Sequence, residues 1–368
     1  MLYIRRNYGQ VVLSFMVPVP GGLRLYVLVA HGASVLWKCV YKRHSVFLVM
    51  MFADAHSDLG ILVYMSDIGE VPRALVDDFF HQMEEGRVCL SVVQVGGDFS
   101  ESGYDFGNPF VVQQSMDATH RELNERQSFL EVAVSGRDVK RIIGQERSAV
   151  ILSIEGSAAF GSDFETLDML HEQGLRNMAI THDGQNQFGC GCRVEHDTGL
   201  TPEGETLLDY AASKGIILDL VHVGEVTFWG AIDHSSQPVF VSHSNSKSVY
   251  EHCRNLTDEQ IVAIGDRGGI VSVNFISEFL APGPDVAPLD RLVDHIDHIV
   301  ELIGCENVAL GPDFYRYMMP DLSYVGDVNG PSDLPAVRAS LEARGYSVRD
   351  IARICHENLV RFISASLG

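Results

Sequence analysis

Histidines and carboxylates that close short apolar runs are the residues of this chain best placed to do chemistry. His56 and Asp58 follow FADA, Glu155 follows LSI, His182 follows MAIT, His222 follows LDLV, His243 follows VFVS and Asp313 follows ALGP. In His56-Ser57-Asp58 an imidazole and a carboxylate two residues apart point the same way from an extended segment, so both can bind one side of a metal cluster. Each has an ordinary structural explanation when taken alone: His-x-Asp is common, and a histidine ending a buried strand is more often hydrogen-bonded than metallated. Glu155 is harder to dismiss, because a carboxylate after an apolar run must be paired, metal-bound or solvated. Together, His56, Asp58, Glu155, His222 and His243 can serve two zinc ions if Glu155 bridges them. Two ions about 3.5–4 Å apart share a water, lower its pKa toward roughly 7 and yield a hydroxide nucleophile at neutral pH. Nitrogen and oxygen donors without cysteine suit zinc, with manganese or iron as alternatives.

The elements that must position these residues repeat. Apolar runs at 52–56, 88–95, 149–156, 177–182, 215–222, 238–244, 268–275 and 307–314 alternate with amphipathic stretches such as FETLDMLHEQG, PEGETLLDYAASKG and LDRLVDHIDHIVELIG. Continuous apolar runs suit strands covered on both faces, and strand–helix alternation makes a parallel sheet. Eight such runs predict an α/β fold, a (β/α)8 TIM barrel over residues 51–368, whose C-terminal strand ends gather on one rim. The segments 96–114 and 315–335 read as loops over a barrel end.

Composition narrows the partners. A net charge of -22 with 27 Lys and Arg repels a phosphate backbone, which excludes nucleic acid and anionic membrane in favour of small molecules and metal cations. Seven cysteines scattered from Cys39 to Cys355 make no disulfide framework and read as mostly reduced core thiols. Residues 1–50 stand apart as an N-terminal extension. Gly, Pro, His and Arg interrupt its apolar runs before the roughly 20 residues of a membrane span, so no stable span is expected. A strand-rich extension and translated sequence upstream of a start at Met50 or Met51 are the favoured readings over a membrane-associating leader. The default location is cytoplasmic.

At this point the chain resembles the membrane (renal) dipeptidases, zinc enzymes of the amidohydrolase superfamily. The resemblance runs from Phe52 to Phe362 and is carried in order by DAHSDL, SIEG, GLRNMAITH, GLTPEGETLLDYAASKGIILDLVHV, PVFVSHSNSKSVYEHCRNLTDEQ, GGIVSVNF and DHIDHIVELIGCENVALGPDF. It implies that His56, Asp58 and Glu155 hold one zinc while Glu155, His222 and His243 hold the other. It further implies that His182 stabilises the oxyanion near the scissile carbonyl, that Arg254 binds the substrate's free carboxylate, and that Asp313 shuttles the proton. The expected reaction is amide hydrolysis of dipeptides or dipeptide-like conjugates by a metal-bridging hydroxide, in a homodimer. Two stretches depart from the family pattern. His182 is followed by Asp183-Gly184-Gln185-Asn186-Gln187-Phe188, and Asp313 is preceded by Pro312 and followed by Phe314-Tyr315-Arg316. These changes touch the pocket rather than the metal positions, which points to a specialised substrate such as a conjugate with a Cys-Gly-like unit. Alternatives are hydrolysis of a related bond (β-lactam, lactone or N-acyl amino acid) and a non-hydrolytic metal-binding barrel. A single-metal deaminase begins with His-x-His, and Asp58 counts against it.

Overall fold

The computed structural model describes residues 51–283 and 286–368, preceded by the backbone of four strands. Those strands, Leu2–Asn7, Gln10–Val19, Gly22–His31 and Ser34–Cys39, pair antiparallel in chain order within a unit of their own, Met1–Met50. The second unit is Met51–Gly368.

In that second unit Phe52–Ser57 (β1), Val88–Gly97 (β2), Ser148–Glu155 (β3), Leu175–Ala179 (β4), Ile217–Asp219 (β5), Phe240–Val241 (β6), Ile270–Val273 (β7) and Val308–Leu310 (β8) pair in parallel, each with the next in sequence. β8 packs back against β1, which nearly closes a (β/α)8 barrel as the alternation predicts. The three amphipathic stretches form the helices Glu165–Glu172, Pro202–Ser213 and Leu289–Ile303. Local chemistry starts some of them: Thr201 Oγ1 accepts from Gly204 N, and Thr257 and Gln260 form a reciprocal capping box on helix Asp258–Asp266. Along β1, Ala53 and Ala55 join a core that includes Leu90, Val92, Val139 and Ile142 and is completed by Leu359, Phe362 and Ile363 of the C-terminal helix Asn358–Ser366. The alternate residues, Asp54 and His56, face the other way and are buried too.

Three expectations need correction. The segment 96–114 is not wholly a loop. A hairpin of Ser100–Glu101 with Tyr104–Asp105 is followed by a helix from Pro109, capped by the Asn108 side chain. Asp58 is not extended either; its carbonyl accepts from Leu62 N and opens helix Leu59–Asp67. Strands 4, 5 and 6 stop short of His182, His222 and His243. Ser157 is the cause at β4, where its Oγ donates to Ala179 O and its N to Ile180 O. Between β5 and β6 the cause is Asp219, whose Oδ1 accepts from Val221 N at 3.0 Å and Ser242 N at 3.1 Å, replacing ladder bonds with a side chain. The histidines therefore stand on loops just past the strands, free to turn inward.

His295 ties two of these rim loops together. Ser246 N donates to its Nδ1 at 3.1 Å, and its Nε2–H donates to Leu280 O at 3.2 Å. Both contacts need the neutral ring, and burial pushes its pKa down to about 4 from 6.5. A base whose folded pKa is depressed contributes stability that is complete above its unfolded pKa and is lost as pH falls toward the folded value. Wild-type protein should therefore lose about 2 kcal/mol more than His295→Leu between pH 8 and pH 5. Urea unfolding at the two pH values measures the difference, and equal losses would refute the clamp.

Candidate active site

Glu155, the last residue of β3, is the point on which the other rim residues converge. Its Oε1 lies 2.7 Å from His222 Nε2 and 3.5 Å from both His56 Nε2 and His243 Nε2. Asp58 Oδ1 stands 3.8 Å from His56 Nε2, and Asp313 reaches His56 Nε2 at 3.9 Å and His243 Nε2 at 3.8 Å. Three overlapping groups have ligand atoms within 4.8 Å of one another: His56, Glu155 and His243; Glu155, His182 and His222; and His56, Asp58 and Asp313. All five residues expected to hold metal are brought together, with His182 and Asp313 beside them. This grouping cuts across the expected partition of the ligands between two ions.

The donor chemistry fits divalent cations. His222 Nδ1 donates to Asp183 Oδ1 at 2.7 Å, so its Nε2 carries the lone pair. That nitrogen faces His243 Nε2 at 3.1 Å and the Glu155 carboxylate, a repulsive set unless a cation lies between them. His56 Nε2 is buried with no hydrogen-bond partner, although three carboxylates surround it. Its Nδ1 contacts the Gln94 amide at 3.2 Å, and the Gln94 Oε1 is itself buried without a partner. Turning that amide over satisfies both atoms: Nδ1–H donates to Oε1 and Nε2 is left bare for a metal.

Electrostatics sort the remaining roles. Burial raises the Glu155 carboxyl well above its ordinary range, reinforced by Asp58 and Asp313 and opposed by His56 and Arg254. Asp313 is raised by burial and by Asp58, and Asn274 Nδ2 donates to its Oδ2 at 3.0 Å. Burial and the Arg254 charge pull His182 down to about 4 against the attraction of Asp183, so the ring is neutral near pH 7. Asp183 goes the other way: burial favours its neutral form, but the bond from His222 and the charge of Arg254 hold it far below the carboxylate range.

Arg254 lies between the imidazoles and the cavity. Its Nη2 sits 3.0 Å from His222 Nε2 and 2.9 Å from His243 Nε2, so the guanidinium supplies the positive charge between the imidazoles. It also stands 5.6 Å over the Phe279 ring and borders a cavity of about 370 Å³ shared with His182, Asp313 and Glu155.

Two site residues adopt left-handed backbone, which costs a non-glycine residue about 1–3 kcal/mol: His222 at φ 64° and Asp313 at φ 60°. At Asp313 the geometry is enforced by Tyr324, whose hydroxyl donates to Asp313 O at 2.5 Å and accepts from Tyr315 N at 2.6 Å. The sequence reading did not assign Asp183, Gln94, Asn274 or Tyr324 a role. Gln94 carries a usable signal, a lone amide inside the apolar run VCLSVVQV. Asp183 is an acid next to a rim histidine, while nothing local marks Tyr324. The cysteines are mixed: Cys89, Cys190 and Cys355 are buried, Cys192 and Cys305 are partly exposed, and Cys253 is exposed.

Residues 80–366 match the sequence pattern of the membrane dipeptidases, peptidase family M19. The chain is 30% identical over 333 residues to the dipeptidase aclJ of Aspergillus oryzae, covering 84% of this chain and 76% of that one. It is 32% identical to an uncharacterised Klebsiella pneumoniae protein of the pqqA 5' region, over 64% of this chain and 88% of that one. Among solved structures, a metallopeptidase of Rhodobacter sphaeroides liganded with a phosphinate mimic of L-Ala-D-Ala superposes with a TM-score of 0.75 at 22% identity, over 86% of this chain and 99% of that chain.

The Asp183–His222 bond generates a direct test. Asp183→Asn removes the charge that orients His222 Nε2, and such changes behind a ligand cost about 10–100-fold in metal affinity. Competition with a fluorescent chelator should show that loss for Asp183→Asn with the fold intact by circular dichroism. Unchanged affinity would remove Asp183 from the metal centre.

Proposed function

The chain belongs to the membrane dipeptidase family, and from that premise we propose that it hydrolyses dipeptides or dipeptide-like conjugates with two zinc ions bridged by Glu155. Metal-dependent dipeptide hydrolysis is the chemistry of the family. The observation that carries the finer reading is one carboxylate oxygen, Glu155 Oε1, within 3.5 Å of three imidazole nitrogens. In this reading His56 and Asp58 flank Glu155 on one side, His222 and His243 on the other, with nitrogen and oxygen donors that suit zinc. Bound there, such ions supply Lewis acidity that polarises an amide carbonyl and makes a water acidic enough to attack it near pH 7.

The chain's own residues do the rest. Asp313 Oδ2 is engaged by Asn274, so Oδ1 is the atom that takes the water's proton and returns it to the leaving amine. Neutral His182 donates an N–H to the developing oxyanion. Once the His222 and His243 lone pairs are engaged elsewhere, the Arg254 guanidinium is free to meet a substrate carboxylate, where bidentate geometry orients short peptides. The walls offer apolar surface from Phe99, Phe279 and Ile276.

Two further points belong to this reading. A homodimer is the proposed assembly, checked by sedimentation of the full chain. The proposed location is cytoplasmic; no helix among the described residues is long and apolar enough to cross a membrane.

Reconstituted protein should bind two equivalents of zinc, turn over members of a dipeptide panel and lose activity on chelation. Asp313→Asn should lower kcat by about 10²–10⁴-fold without changing metal content. A fully loaded protein inert toward the whole panel would overturn the proposal.

A further inference from the structure

The cavity beside the metal-ligand cluster is lined by six carboxylates; four of them are committed within the chain and a fifth, Glu278, is exposed. Asp58, Glu155 and Asp313 face the imidazoles. Asp183 is paired with His222 and with Arg193 at 2.8 Å, whereas Glu278 lies in solvent, 3.8 Å from the nearest His252 nitrogen. Glu101 is different. Its oxygens accept only from neutral hydroxyls, Tyr315 OH at 3.1 Å and Ser102 Oγ at 3.3 Å, and it has no cationic partner among the described residues. A half-buried carboxylate lining a cavity gains from a cation that enters it, because charge-assisted hydrogen bonds strengthen away from bulk water.

Glu101 is also held in place. Its strand Ser100–Glu101 pairs with Tyr104–Asp105, and the base of this hairpin is fixed by Phe106 N to Phe99 O at 2.9 Å and by stacking of Phe99 on Phe106. From the opposite loop, Tyr315 is pinned through its own N–H by Tyr324. Burial first, then the charges of Asp58, Glu101 and Glu155, keep the Tyr315 phenol protonated, so it donates to Glu101. Glu101 and Tyr315 line the same cavity as Arg254, whose guanidinium lies against His222 and His243. One cavity thus offers a negative and a positive group, the two charges that a zwitterionic dipeptide needs.

Resting on the dipeptide reading above, we propose that Glu101, positioned by Tyr315, binds the free α-ammonium of the substrate's amino-terminal residue and so selects unblocked dipeptides over N-acylated ones. Both residues stand on loops over the cavity, Glu101 in the hairpin after β2 and Tyr315 in the stretch after Asp313. Such selection separates dipeptides from N-acyl amino acids, which carry the carboxylate but no ammonium.

The test compares kcat/KM for a free dipeptide and its N-acetyl derivative in zinc-loaded wild type, Glu101→Gln, Glu101→Asp and Tyr315→Phe. Wild type should favour the free dipeptide strongly. Glu101→Gln should shrink that preference about 10–100-fold, mainly through KM, the size of one lost charge-assisted hydrogen bond. Glu101→Asp should restore part of it, and Tyr315→Phe should weaken it through KM with kcat little changed. A phosphinate dipeptide mimic, with and without its amino group, gives the same comparison by calorimetric binding without turnover. If Glu101→Gln keeps the wild-type preference, or if both substrates decline alike, Glu101 does not read the ammonium and the dipeptidase reading stands. If wild type hydrolyses neither substrate and binds neither phosphinate, the dipeptide reading fails and this inference with it.

Discussion

The structure is organised around a concentration of like-charged and lone-pair-bearing atoms that water cannot relieve. Buried Glu155 and Asp58 and partly buried Asp313 set three carboxylates against the imidazoles of His56, His222 and His243. Isolated buried charge of this density costs many kcal/mol, so it persists only around positive charge. Arg254 supplies some of that charge from within the chain, between two imidazoles. The same demand explains why the donors suit divalent ions: an arrangement that is unfavourable empty binds strongly when filled, and the binding energy offsets the cost of preorganising it.

The barrel makes that concentration affordable by separating folding from function along each strand. Ala53 and Ala55 pack into apolar core while Asp54 and His56 alternate to the polar face. Asp219 shows how the division is built locally. One carboxylate takes the amides of Val221 and Ser242, stops two strands at once and releases His222 and His243 one residue later. His222 then enters the left-handed region, a cost borne by the surrounding hydrogen bonds, including that from its Nδ1 to Asp183.

Much of this was legible before any coordinates. Apolar periodicity carried the strand count and order because buried parallel strands need uninterrupted apolar runs, and the polar residue ending each run marked the rim. What stayed hidden depended on approach in space rather than along the chain. Tyr324 fixes Asp313 across an eleven-residue separation, and Glu101 meets Tyr315 across 214; no periodicity encodes such pairs. The turn at Asp58 has no local signal, because helix initiation at Leu59 lacks a side-chain cap or acidic first turn that would announce it. Arg254 lines the cavity, and its contact with the imidazoles follows from electrostatic demand, which a sequence motif does not express.

The two departures from the family pattern acquire a physical reading from this. In place of the usual residues after His182 stands Asp183, which fixes the tautomer of His222 and gathers Arg193 and Arg254 around it. After Asp313 comes Tyr315, which reaches the hairpin inserted after β2. Neither change touches His56, Asp58, Glu155, His222 or His243; each adds a polar group beside them or on the cavity wall. The departures thus fall on loops whose side chains set orientation and charge at the cavity, while Glu155 ends a strand and His222 and His243 stand just past strands whose positions the packed core dictates. A chain can then change what it accepts without rebuilding the centre that reacts, because the charge demand of that centre is met independently of the cavity's outer wall.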